Sequence, residues 1–311
     1  MSIFEKAFEK AAKGAGGEQA DPLFDSADDI LNIPESLDEE GAESGGAEDL
    51  GSRLWSENQP QADGFGKQVK LDLSGLRDAG LVDPLSNKTN RTTEEFRRIK
   101  RPLLMHVRGE GATVVDNANM IMVTSALAGE GKTFTSINLA MSIAMEMDKT
   151  VLLIDADVAK PDVTTRLGVE AEKGLIDVLL EDGLTLPDVL LRTDIPKLTL
   201  LPSGSRHIHS TELLASERMR QLTLELSSRY SDRIVIFDSP PLLLTNEARV
   251  LAGLMGQVVL VTEESRTPQH AVKEAAEMLN DNEIVGIVMN KGTHRKDSDS
   301  YGGYGYYPYG R

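Results

Sequence analysis

The 311-residue sequence contains no cysteine. That excludes a disulfide framework, a thiolate metal site and a cysteine nucleophile. It also lacks an apolar run of the roughly 18 residues needed to cross a bilayer; the longest candidate, residues 250–262, is interrupted by Gly253 and Gly256. Glu5 and Glu9 fall where the apolar core of a secretory leader would have to lie. Basic residues are the minority, 33 Lys plus Arg against 50 Asp plus Glu, for a net charge of −17. Such a balance excludes a general nucleic-acid binder, whose phosphate contacts need clustered cations. Histidine is scarce, and His207 and His209 have no third ligand at a metal-binding spacing, so they read as loop residues. These absences point to a cytoplasmic protein with ample chain for a packed core.

What is present is unevenly spread. Residues 1–86 hold 19 acidic and 7 basic side chains, so most of the net charge lies in the first quarter. Gly, Ala and Ser fill much of the rest, and Glu39-Glu40-Gly41-Ala42-Glu43-Ser44-Gly45-Gly46 stands at its centre. This composition buries too little apolar surface to offset ordering entropy. Residues 1–64 are therefore expected to be a disordered acidic tail. Within it, residues 1–13 place Ile3, Phe4, Ala7, Phe8 and Ala11 on one face of a possible short docking helix. At the other end, five of the six tyrosines (Tyr301, Tyr304, Tyr306, Tyr307 and Tyr309) are interleaved with glycines and Pro308. Core aromatics do not gather in such a segment. Residues 295–311 read as a flexible Tyr-rich tail whose phenols are presented for modification.

Between the tails, residues 65–294 alternate strand and helix. Apolar runs at 120–125, 150–154, 198–201, 233–237, 257–261 and 284–289 are buried-strand candidates. Helical spacing appears at 132–147, 211–230 and 268–280. Continuous Val/Ile/Leu strands separated by helices predict an α/β fold, with a mostly parallel sheet covered by helices on both faces. Ligands of such folds bind at the carboxyl ends of the strands, which is where the polar motifs fall.

Ser125-Ala126-Leu127-Ala128-Gly129-Glu130-Gly131-Lys132-Thr133 matches a P-loop with Ala126 at the first glycine. Backbone amides from Ala128 to Phe134 would cradle phosphates at a helix N-terminus. Lys132 would reach the β- and γ-phosphates of ATP, and Thr133 would ligate Mg²⁺. The strand 150–154 leads to Asp155-Ala156-Asp157, and a second delivers Asp238-Ser239-Pro240-Pro241. Carboxylates at the ends of buried strands are costly unless they bind a cation or act as bases. Asp155, Asp157 and Asp238 are accordingly read as metal-binding and catalytic, together with Thr133 and Lys132. The H-R-D and D-F-G segments of eukaryotic-type protein kinases are absent.

From about residue 71 onward the chain resembles the bacterial tyrosine kinases, which build a protein kinase on a P-loop NTPase fold of the MinD/ParA kind. The resemblance rests on the P-loop, the Asp155-Ala156-Asp157 strand, Asp238-Ser239-Pro240-Pro241 and the tyrosine cluster. Residues 94–104 and 211–219 are similar to the exosortase-associated autokinases of exopolysaccharide loci. That likeness implies a separate cytoplasmic kinase, at most peripheral at the inner face of the plasma membrane. Its implied partners are a membrane chain-length-determinant or polysaccharide co-polymerase protein and a tyrosine phosphatase. It also implies a homo-oligomeric ring held by an ExxRxxR helix, here Glu94, Arg97 and Lys100. The letters match again one residue later, at Glu95, Arg98 and Arg101. Thr92 and Glu95 would form a capping box, and Pro102 would end or kink that helix.

The Arg of the family's DxDxR is replaced by Ala159, followed by Lys160, which lacks the bidentate guanidinium fork. Asn290, after the last strand, is expected to touch adenine. The implied chemistry is autophosphorylation of the tail tyrosines, with a tail entering a neighbouring subunit's site and Asp155 or Asp157 taking the phenol's proton. Each phosphate adds about −1.5 to −2 charge, so a phosphorylated tail would weaken the ring and cycle assembly with polymer export. Two other functions fit a P-loop. One is a MinD/ParA-type ATPase switch, against which stands Leu127 in place of the extra lysine. The other is a nucleotide-dependent scaffold for a polysaccharide export complex without kinase activity.

Overall fold

A computed structural model describes residues 66–292, apart from 87–89, 112 and 230–231. The expected acidic tail, its docking helix and the tyrosine segment lie outside the described residues. In chain order the elements are β1 (Lys67–Val69), α1 (Leu73–Asp78), α2 (Arg91–Val107), β2 (Met120–Ser125), α3 (Lys132–Ala144) and β3 (Thr150–Asp155). Then follow α4 (Val163–Leu167), α5 (Leu175–Leu180), α6 (Leu186–Val189), β4 (Leu191–Thr193), β5 (Leu198–Leu201), α7 (Ser210–Leu214) and α8 (Glu217–Arg229). The chain continues through β6 (Arg233–Asp238), α9 (Asn246–Ala252), β7 (Gln257–Glu263), α10 (Gln269–Met278) and β8 (Ile284–Asn290).

The strands form one sheet in the order β1-β4-β5-β3-β6-β2-β7-β8. Every neighbouring pair is parallel except β4 and β5. Side chains alternate across each strand, so a central strand without polar positions must be covered twice. Met120, Leu152, Val235 and Val258 pack into one apolar cluster with α5, α8 and α10, whereas Ile121, Val151, Ile234 and Val259 pack into another with α2 and α3. Helix α3 is buried on nearly all sides, as expected of a helix sandwiched between the sheet and α2. Phe96 of α2 meets Phe134 of α3 edge-on, with ring centroids 6.3 Å apart. The expected α/β architecture, with helices on both faces of a mostly parallel sheet, is therefore present.

Four details depart from the sequence reading. The stretch 211–230 is two helices: Ala215 closes α7, and Ser216 Oγ accepts from Met219 N at 3.2 Å to begin α8. Helix α2 is capped by Asn90, whose side chain accepts from Thr93 N at 2.8 Å. The expected Thr92–Glu95 capping box does not form, because Thr92 lies inside the helix and Glu95 pairs with Arg91 at 2.5 Å. Pro102 does not end α2; it and Arg98, the residue whose carbonyl loses an N–H partner, are both exposed, so solvent can satisfy that carbonyl. Finally β8, expected to be buried, is an edge strand with Val285, Ile287 and Met289 exposed.

Because β2, β3, β6, β7 and β8 run parallel, their carboxyl ends open on the same side. The P-loop, Asp155, Asp238, Glu263 and Asn290 are all delivered there. Asp155 and Asp238 are directly paired across adjacent strands, and Asp238 also stands opposite Val123 of β2.

Candidate active site

Between β2 and α3 the chain turns through Gly129 (φ +86°) and Gly131 (φ +99°), a region that side chains disfavour. A Cβ on Gly131 would lie 2.0 Å from Asn290 Nδ2. Gly131→Ala is therefore expected to abolish nucleotide binding while the sheet still folds, which titration of a fluorescent ADP analogue and circular dichroism would check together. Ala128 and Gly129 are exposed at the loop tip. The Phe134 ring packs into the core, so what it offers a phosphate is its backbone amide.

Lys132 and Thr133 open α3 and point at three buried carboxylates. Lys132 Nζ lies 2.6 Å from Asp157 Oδ2 and 3.7 Å from Asp238 Oδ2. Thr133 Oγ1 donates to Asp238 Oδ2 at 2.7 Å, and Ser136 Oγ donates to Asp238 Oδ1 at 3.0 Å. Asp155 Oδ2 accepts the amides of Asp162 (3.1 Å) and Val163 (3.0 Å), while its buried Oδ1 has no hydrogen-bond partner among the described residues. Asp157 Oδ1 accepts from Lys160 N at 3.1 Å, so the turn after β3 closes without the missing arginine; Ala159 itself is exposed.

The charges are strongly coupled. Burial pushes the Asp155 carboxyl up to about 7, helped by the neighbouring charge of Asp238. Asp238 is also raised by its complete burial, against the opposing pull of Lys132, Thr133 and Ser136. Burial would lower the Lys132 ammonium, but Asp238 and Asp157 outweigh it and hold it above the ordinary lysine range. Among the described residues one cation, Lys132, thus faces three acids, with an unpartnered acceptor left over.

That donor set suits a hard, oxygen-seeking ion such as Mg²⁺. Among the described residues no three His, Cys, Asp or Glu are placed to hold a metal by themselves. Thr133, Asp155, Asp157 and Asp238 therefore do not form a ready-made four-ligand cage; Mg²⁺ characteristically completes its shell with phosphate oxygens and water.

Sequence reasoning missed three residues. Ser136 lies one helical turn after Lys132, so its position on the same face of α3 was available from spacing. Thr267 and Lys291 were not. Thr267 Oγ1 donates to Glu130 Oε1, and Lys291 Nζ donates to the Gly129 carbonyl at 2.8 Å. The Glu130 side chain itself faces inward, accepting from Leu127 N at 2.8 Å. Asn290 Nδ2 donates to the Glu130 carbonyl at 2.9 Å, which seats it against the loop backbone.

On α2 the two possible registers separate clearly. Lys100 is buried and bonds the Ser142 carbonyl (2.5 Å) and Glu146 (2.7 Å) of its own chain. Of the expected set only Glu94 and Arg97 remain near the surface, paired with each other at 2.5 Å. Lys100 is thus an internal strut; Glu95, Arg98 and Arg101 are all exposed.

Residues 118–284 match the family model described as AAA domain. The chain is 34% identical over 217 residues to the tyrosine-protein kinase YwqD of Bacillus subtilis, covering 69% of this chain and 86% of that protein. It is 32% identical over 193 residues to the tyrosine-protein kinase Wzc of Salmonella typhi, covering 61% of this chain and only 26% of that longer protein. Among solved structures, the VpsO kinase domain is 28% identical with a TM-score of 0.53, covering 66% of this chain and all of that one. A phosphate loop whose lysine faces acids from two neighbouring strand ends, on a sequence this close to YwqD, leaves one assignment: the chain belongs to the bacterial tyrosine-protein kinases.

Proposed function

We propose that the chain transfers the γ-phosphoryl group of ATP to its own tyrosines Tyr301, Tyr304, Tyr306, Tyr307 and Tyr309, between subunits of an oligomer. The observation that carries this reading is the Lys132 ammonium held among Asp155, Asp157 and Asp238 at the mouth of the P-loop. Lys132 and the loop amides bind and orient the triphosphate. A phenol has a pKa near 10, so attack at neutral pH needs a base, and that role falls to Asp155, whose Oδ1 has no hydrogen-bond partner among the described residues. The phenol oxygen bonds to γ-phosphorus as the bond to ADP breaks, and the proton passes to Asp155. Thr133 and Asp238 would hold Mg²⁺, with Asp155 and Asp157 beside it; when bound, the ion supplies charge neutralisation at the β- and γ-phosphates.

Mixing separates this reading from a nucleotide switch or scaffold. Lys132→Met protein with its tail intact is incubated with Mg-ATP and an active chain shortened after Gly292. Phosphotyrosine on the Lys132→Met tail is expected; ATP hydrolysis with that tail unmodified would overturn the reading.

The oligomer interface we propose uses the exposed register Glu95, Arg98 and Arg101. Arg98→Glu with Arg101→Glu should reduce the assembly to smaller species by light scattering and lower tail phosphorylation about tenfold or more, by removing charge-assisted contacts. Lys100→Ala should instead lower the melting temperature, because its partners are internal. A cytoplasmic location beside a membrane co-polymerase of polysaccharide export fits the likeness to Wzc, and no helix among the described residues is long and apolar enough to cross a membrane.

A further inference from the structure

Glu130 is an unexpected residue to find inside a loop that receives a triphosphate. Its side chain is only 3% exposed, and its negative charge opposes the ligand. Its two oxygens, however, hold two different donors. Oε2 accepts from Leu127 N at the start of the loop, and Oε1 accepts from Thr267 Oγ1 in the connection between β7 and α10. The Thr267 oxygen in turn accepts from Glu263 N at 2.8 Å, which leaves its proton directed at Glu130.

A second tie reaches the loop backbone from the end of β8 and the residue after it. Asn290 Nδ2 donates to the Glu130 carbonyl at 2.9 Å, and Lys291 Nζ donates to the Gly129 carbonyl at 2.8 Å while pairing with Glu263 at 2.9 Å. Both connections that make these ties contain a non-glycine residue in the left-handed region, Ser265 at φ +59° and Lys291 at φ +57°. Such conformations persist where surrounding structure holds them and cluster at functional sites. Without the ties, an exposed tip of Ala128 and Gly129 would have little to fix the direction of its amides, and a phosphate cradle works only when those amides converge.

We infer that Glu130 and Thr267 form a clamp that pre-sets the phosphate loop, which makes Thr267 a positioning residue for the kinase reaction. The inference rests on the reading that residues 127–133 bind a nucleoside triphosphate. The clamp needs both Glu130 oxygens as acceptors, so an amide in its place would turn an NH₂ group against one of the donors. It needs only a hydroxyl at position 267, not a methyl group.

The test uses the full chain and three variants: Thr267→Val, Thr267→Ser and Glu130→Gln. A fluorescent ADP analogue with Mg²⁺ reports binding, and autophosphorylation across ATP concentrations reports KM and kcat. Thr267→Val should weaken nucleotide binding and raise KM for ATP about tenfold or more, as loss of a hydrogen bond to a charged group implies. Its kcat at saturating ATP should change much less, since the loop is set before chemistry. Thr267→Ser should restore both values, and Glu130→Gln should resemble Thr267→Val. Wild-type affinity in Thr267→Val would overturn the clamp, as would a loss that serine fails to restore. Failure of the wild-type chain to bind nucleotide would instead remove the triphosphate reading itself, and the clamp with it.

Discussion

Replacing Lys132 with methionine is expected to lower tail phosphorylation by about 10³-fold or more, the scale of removing a cation from a phosphoryl-transfer site. The same change should also weaken the nucleotide-free fold. Lys132 is the cation facing Asp155, Asp157 and Asp238, with Asp157 at 2.6 Å. Removing one partner of a buried charged group leaves the others uncompensated, at a cost of about 3–5 kcal/mol. Asp155 and Asp238, both shifted upward, relieve that cost by taking protons, so the deficit should be largest above pH 7 and shrink as pH falls. Thermal melts of both proteins in EDTA, from pH 5 to pH 8, would read it. A catalytic loss with no pH-dependent loss of stability would mean that the three acids do not share one field.

Asp155→Asn should move activity and stability in opposite directions. Activity should fall about 10²–10⁴-fold, the usual contribution of a positioned base. The nucleotide-free and metal-free protein should become more stable. Its carboxyl is raised to about 7 from an ordinary value of 3.8, so the folded state binds the proton more tightly than the unfolded one does. For an acid shifted upward, stability is lost as pH rises from about 4 through 7. The shift corresponds to roughly 4 kcal/mol at most. Asparagine resembles the protonated form: its oxygen can keep the amides of Asp162 and Val163, and its NH₂ occupies the place of the unpartnered oxygen. The variant's advantage in melting temperature should therefore be small near pH 4 and reach its full size above pH 7. A constant advantage across that range would show that Asp155 does not titrate there.

The sheet was legible because each central strand is built on a short apolar run bounded by turns, and in a parallel sheet those runs must be buried twice. The acids were legible for the same reason: Asp155 and Asp238 stand where an apolar strand stops. Less visible were the features set by packing between distant segments. β8 reads like its neighbours in composition, and only its place at the sheet edge exposes Val285, Ile287 and Met289. On α2, one-residue ambiguity in the charge pattern corresponds to a rotation of about 100°; Ser142 of α3 and Glu146 just beyond that helix take Lys100 inward. Thr267 lies 137 residues from Glu130, and no spacing rule joins them. Short β1 and β4, three residues each, carry too little periodicity to stand out.

The central claim is that phosphate bound at Lys132 ends on a phenol of the chain's own tyrosine segment. Incubating the purified full chain with Mg-ATP labelled in the γ-phosphate and mapping the label by mass tests it most directly. The account expects label on one or more of Tyr301, Tyr304, Tyr306, Tyr307 and Tyr309, and none in Lys132→Met incubated alone. Nucleotide that is hydrolysed while those five tyrosines stay unlabelled would contradict it.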